Sequence, residues 1–179
     1  MVTLDEVDRQ ILDLLQANAR RTNAEIAEEV GLTAPSVFER IRKLEQRGVI
    51  RGYTVQVDPE ALGKQLTAFI RLTAAYDDRH AAGVAAIAAD PDVLECYSVA
   101  GEDCFIIKTR VSGPGALEAL IHRIRAQMTV LRSVTMIALS AVKEGGPLRA
   151  EAPEAERQPA RNGQSEAAAN GRGRRGGKG

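Results

Sequence analysis

The sequence predicts an α+β protein in two folded parts: an N-terminal winged helix-turn-helix over 2–50 and a C-terminal ferredoxin-like β-α-β-β-α-β sandwich over 64–144. Three observations predict it. Residues 22–53 read as two short helices about a tight Gly31-Leu32-Thr33 turn, followed by an extended run. Beyond Gln65 the apolar residues switch between strand spacing and helix spacing in that six-element order. From Gly145 to Gly179 the chain is mostly Gly, Ala, Pro, Glu and Arg, with Leu148 as the one large apolar residue, which predicts a disordered tail.

Composition narrows the function. The chain has 179 residues, enough for one large domain or two small ones. It is 44% hydrophobic without a long apolar run, so neither a membrane span nor a signal peptide is expected, and the expected compartment is the cytoplasm. Cys96 and Cys104 are too few for a secreted disulfide framework and wrongly spaced for a zinc knuckle, so they read as core thiols. The pattern contains no Gly-rich phosphate loop, nucleophile elbow or metal-ligand cluster, so no cofactor and no catalysis are expected. Net charge is zero, but the charge is not evenly spread. Between Ser36 and Arg51 the bases Arg40, Arg42, Lys43, Arg47 and Arg51 outnumber Glu39 and Glu45, whereas Asp5, Glu6, Asp8 and Asp13 make the first helix acidic. Positive charge on one helix and the run after it can neutralise phosphates and release counterions.

Taken in order, Thr3 with Glu6 predicts a capping box for a first helix over 4–17, with Val7, Ile11, Leu14 and Leu15 as its buried stripe. Thr22 with Glu25 predicts a second capping box, and Ile26, Ala27 and Val30 line that helix. Gly31 suits the left-handed residue that ends a helix, Leu32 plugs the gap between helices, and Thr33 caps the next. Val37, Ile41 and Leu44 then share an inward face, with Ser36, Glu39, Arg40 and Lys43 assigned outward, until Gly48 stops the helix. This is the pattern of a helix-turn-helix whose second helix enters a DNA major groove. The run 51–57 is expected as a strand that links the two parts, stopped by Asp58-Pro59 within a 51–63 connection.

The second part opens on a strand with Leu66, Ala68, Ile70 and Leu72 on one face. An alanine-rich helix with Val84 and Ile87 inward follows and stops at Pro91. Residues 93–100 and 104–111 form a hairpin around Gly101-Glu102-Asp103. A helix carrying Leu117, Leu120, Ile121 and Ile124 comes next, then a last strand over 134–143. Helices on one face leave the other face of the sheet to be covered. With Phe69, Ile70, Phe105, Ile106, Ile107, Met136 and Ile137 in its strands, the sheet is expected to mediate a homodimer. The tail ends in GRGRRGGKG, whose four positive charges offer non-specific attraction to nucleic acid or act as an inert solubiliser.

Together these residues resemble the Lrp/AsnC family of transcription regulators. LDEVDRQILDLLQANAR, NAEIAEEVGLTAPSVFERIRKLEQRGVIRGY, Asp58-Pro59 with Leu62-Gly63, the 93–111 hairpin and Val142-Lys143 carry the likeness, from about Leu4 to Lys143. The resemblance implies binding of double-stranded DNA by dimers, tetramers or octamers, with an amino acid or related small metabolite held between subunits. Mapped onto this chain, it puts Thr33, Ser36, Phe38, Glu39, Arg40 and Lys43 on DNA, with Arg21 and Arg51 flanking on phosphates. Glu39 then accepts from cytosine or orients Arg40, and Phe38 meets a thymine methyl or joins the core beside Leu44.

The resemblance also implies an effector loop at Gly101, Glu102, Asp103 and Cys104, with Ser98, Met136 and Ala138 on adjacent strands. This chain departs from the family's Gly-Asp-aromatic-Asp-aromatic pattern there: Asp103 replaces the first aromatic and Cys104 the second Asp, the group that often meets an effector's amino group. Two other functions stay open. A nucleoid-type architectural protein would coat DNA with little sequence preference. Sirohaem decarboxylases share the architecture, but such an enzyme would need basic and histidine residues around a tetrapyrrole, and the histidines here are His80 and His122.

Overall fold

The computed structural model describes residues 3–149, which form two compact units, one built on the helices before Arg47 and one spanning Gly48–Gly146. The expected basic end of the tail lies outside the described residues. The first unit holds α1 (Glu6–Ala17), α2 (Asn23–Val30) and α3 (Ala34–Gln46). Ile11, Ile26, Ala27, Val37 and Leu44 form its buried centre, one contribution or more from each helix. A fully buried side chain of this size stabilises by about 1.5–3 kcal/mol, so three helices that would each be marginal alone hold together.

The caps account for the helix ends. Thr22 Oγ1 accepts from the Glu25 N–H at 3.2 Å, and Glu25 accepts from the Thr22 N–H at 2.7 Å, which is the capping box the sequence predicts. Gly31 has φ 68°, the left-handed conformation that reverses the chain between α2 and α3. At α1 the structure corrects the expectation. The cap is Asp5, whose Oδ1 accepts from the Asp8 N–H at 2.7 Å while Asp8 Oδ2 accepts from the Asp5 N–H at 3.3 Å. Asp5 is extended, with ψ 174°, and serves as the cap, so the helix begins at Glu6, two residues later than expected.

The second unit holds β1 (Leu66–Ala74), α4 (His80–Ala89), β2 (Val93–Ser98), β3 (Phe105–Val111), α5 (Pro114–Gln127) and β4 (Val130–Ile137). The strands make one antiparallel sheet in the order β2-β3-β1-β4, the predicted β-α-β-β-α-β arrangement. Ala68, Ile70, Leu72, Phe105, Ile107 and Val111 point from the two central strands to the helices, where Ile87, Leu117, Leu120, Ile124 and Met128 meet them. Buried Gly83 lets α4 approach the end of α5, because a Cβ there would sit 2.6 Å from Met128 Cβ.

Two expected strands differ. The run 51–57 is no strand, because the first strand of the sheet begins only at Leu66 and nothing among the described residues pairs with it. The last strand runs over Val130–Ile137 instead of 134–143. Its register pairs Ile137 with Ala68, and the Ala138 N–H reaches Thr67 O at 2.9 Å, so β1 has almost no backbone left for it to follow.

Candidate functional site

On α3, Val37, Ile41 and Leu44 turn inward and Ser36, Phe38, Glu39, Arg42, Lys43 and Arg47 lie outside. Thr33 Oγ1 caps the helix by accepting from the Ser36 N–H at 3.4 Å, and it shares a hydrogen bond with Ser36 Oγ at 2.9 Å. Both hydroxyls stay exposed at the helix N-terminus, where backbone N–H groups and the helix dipole favour a phosphate. Phe38 is 53% exposed, so it is not a core residue beside Leu44. Lys43 and Arg47 have no ion-pair partner among the described residues, leaving both cations for an outside anion.

Three other expected contacts are already engaged. Glu39 accepts from Arg42 at 3.0 Å and does not orient Arg40. Arg21 is paired with Glu29. Arg40 does not stand on the outward face: its Nη1 donates to Asp5 Oδ2 at 2.6 Å and to Asp8 Oδ1 at 2.7 Å. The Arg40 hydrogen bond holds the Asp5 carboxyl below its ordinary value. Arg51 lies exposed in the extended run 51–57 of the second unit.

The hairpin between β2 and β3 is tied down by charge. Asp103 is only 8% exposed, and its Oδ2 accepts from Arg71 Nε at 2.6 Å and Nη2 at 2.5 Å. Its other oxygen, Oδ1, is buried with no hydrogen-bond partner among the described residues. Thr73 Oγ1 donates to Glu102 O at 3.2 Å, which pins the loop to β1. Cys104 turns away from the loop: its thiol faces Ala74 O at 3.8 Å and packs on the helix-covered core. It is therefore a core residue, not a polar group poised for an amino group. Burial pushes the Cys96 thiol up, leaving it a protonated, partly buried group.

Within one copy the expected effector residues do not come together. Ser98 stands on β2 and Met136 on β4, the two opposite edges of the sheet. Across three strand spacings that is about 14 Å. Met136 pairs with Phe69, whereas the 101–104 loop sits beyond Leu72 at the end of β1 that faces Arg132. Arg71 was the residue that sequence reasoning missed. A lone Arg in an alternating strand reads as solvent-facing, and its partner Asp103 lies in the hairpin loop thirty-two residues on.

The helix-turn-helix and the sheet domain both match known families. A model of the AsnC-type helix-turn-helix domain matches residues 4–45, and a model of the Lrp/AsnC ligand binding domain matches residues 67–148. The chain is 38% identical over 134 residues to the HTH-type transcriptional regulator LrpA of Mycobacterium tuberculosis, across 75% of this chain and 89% of that protein. It is 37% identical over 146 residues to the leucine-responsive regulatory protein of Rhizobium meliloti, across 80% and 94%. Among solved structures, a transcriptional regulator of Neisseria meningitidis in complex with L-Met superposes with a TM-score of 0.77 at 28% identity, covering 82% of this chain and 96% of that one.

Proposed function

Because this chain belongs to the Lrp/AsnC family of transcription regulators, we propose that it reads its DNA sites through the outer face of α3. The carrying observation is a capped helix whose cations Lys43 and Arg47 have no partner among the described residues and whose Ser36 and Phe38 are exposed. Thr33, Ser36 and Lys43 suit phosphates or guanine edges, Glu39 a cytosine amino group, and Phe38 a thymine methyl. Arg21 and Arg51 serve as flanking phosphate contacts, Arg21 only after leaving Glu29. A regulator of this kind works in the cytoplasm and performs no catalysis of its own.

The sheet domain senses an amino acid or related metabolite in a pocket completed by a second copy. Support comes from the separation just described: the Gly101–Asp103 loop cannot reach Met136 and Ala138 of its own subunit, so a neighbour must bring the two groups together. Asp103 Oδ1, buried and without a hydrogen-bond partner among the described residues, is an acceptor open to a donor. A buried acceptor left unpaired costs about 1–3 kcal/mol, which a ligand ammonium would recover. Titration calorimetry with a panel of L-amino acids tests this. One or more should bind the wild type and fail to bind Asp103→Asn, and equal binding by both proteins would remove Asp103 from the pocket.

The open face of the sheet supports dimerisation. It carries Phe69, Tyr97, Ile106, Val134 and Met136, with no helix over them. Ile70, Phe105 and Ile107, also counted among the apolar residues of these strands, lie under the helices. Tetramers and octamers are further assemblies of the same dimer.

A further inference from the structure

We infer that Arg40 positions the recognition helix and does not itself contact DNA. The side chain lies on the flank of α3 that faces the rest of the helical unit, three residues after buried Val37 and four before buried Leu44. There a single nitrogen, Nη1, joins two carboxylates at 2.6 and 2.7 Å. Those carboxylates are the two members of the α1 cap. Each divides its oxygens: Asp5 Oδ1 and Asp8 Oδ2 close the cap on the backbone, while Asp5 Oδ2 and Asp8 Oδ1 take Arg40. All four oxygens are thereby used, and the start of α1 is bolted to the middle of α3.

The chemistry argues against a phosphate at Nη1. That nitrogen has two hydrogens, both committed to charge-assisted bonds, and Asp8 has a side chain only 13% exposed. Moving Arg40 to DNA would leave that carboxylate unpaired and largely desolvated, which is costly. The acidic pair would also repel any phosphate brought close. A recognition helix works only if its outward side chains meet base edges within hydrogen-bond tolerance, a few tenths of an ångström. A rigid tie between α1 and α3 supplies that tolerance without touching DNA.

The inference rests on the DNA-binding reading of α3, and its test separates the two. The probes are a duplex enriched from a random pool by the wild-type protein and an unselected duplex of equal length. Affinity for both is followed over a salt series, with full-length Arg40→Gln, Asp8→Asn and the milder Asp5→Asn, and thermal melting monitors folding. Failure of the wild type to enrich any duplex counts against both the reading and this inference.

Positioning predicts that Arg40→Gln and Asp8→Asn both lose selective affinity, by about tenfold, while the slope of affinity against salt stays at the wild-type value. Asp5→Asn should shift the same way, less strongly, with its melting least affected. Direct contact predicts the opposite sign for the acids: removing their charge would free Arg40 and tighten binding. Tighter binding by Asp8→Asn or Asp5→Asn overturns the inference. So does a salt slope reduced by about one in Arg40→Gln, which would count a lost phosphate contact. Unchanged selectivity in all three variants overturns it as well.

Discussion

Lys43 and Arg40 stand three residues apart on one helix in different surroundings. Lys43 faces outward with no ion-pair partner among the described residues, so Lys43→Ala should weaken binding to all duplexes alike and lower the salt slope by about one. Arg40 faces the α1 cap, and that placement was written in the spacing. The interval from Val37 to Leu44 places position 40 on the flank of the buried stripe, yet its charge argued for the outside. What no local pattern carried was the partner, since Asp5 and Asp8 lie more than thirty residues away.

The Asp5–Arg40 pair also has a pH signature. The folded Asp5 carboxyl titrates below its ordinary value, first because of the Arg40 hydrogen bond and next because of the Asp8 N–H. Its contribution is therefore complete above about pH 4 and is lost as pH falls through the lowered value. Asp5 is half exposed, so the effect on stability is modest. In a carboxyl-detected NMR titration, Arg40→Gln should move the Asp5 midpoint up toward the ordinary Asp value. An unmoved midpoint would show that the pair does not form in solution.

Among the elements, the helical unit was the most legible part of the chain, because caps and turns are local chemistry. Thr22, Gly31 and Thr33 all act as their types predict. Thr22→Ala should cost about 1 kcal/mol in chemical denaturation, the usual worth of an N-cap. The strands were less legible at their ends. Where β4 stops depends on where β1 starts, a fact held by another part of the sequence. The run 51–57 has strand composition but no strand beside it among the described residues, and composition alone cannot show whether a partner is at hand.

Gly83 marks a close approach of α4 to the end of α5. Alanine there would gain up to about 1 kcal/mol of helix propensity. It would also drive a Cβ to 2.6 Å from Met128 Cβ and 3.1 Å from Gln127 O, atoms that cannot swing away as a side-chain tip can. Overpacking of this kind costs about 1–3 kcal/mol, so Gly83→Ala should lower the melting temperature, and a raised one would contradict the packing described for α4 and α5.

At the scale of the whole molecule, the proposed pocket implies a copy beside this chain. The apolar residues on the open face of the sheet and the divided effector residues both support it. Light scattering at micromolar concentration should give a dimer or a multiple of one, and Met136→Asp should shift that mass toward the monomer. A wild-type monomer would contradict the assembly and the shared pocket together. The architecture followed from the order of elements, and the DNA-reading helix from its turn. The effector site was the least legible because its expected residues stand on opposite edges of the sheet and at one end of it, and no spacing along one strand or helix links them.

Whether α3 reads sequence is decided by fluorescence anisotropy of the full-length protein on DNA from upstream of its own gene. It is run against random DNA of equal length, over a salt series, with and without pooled amino acids. Tight, salt-dependent binding that prefers the upstream DNA and shifts when amino acids are added is the expected result. Equal binding to both DNAs at every salt would contradict it and would point to an architectural protein that coats DNA without reading it.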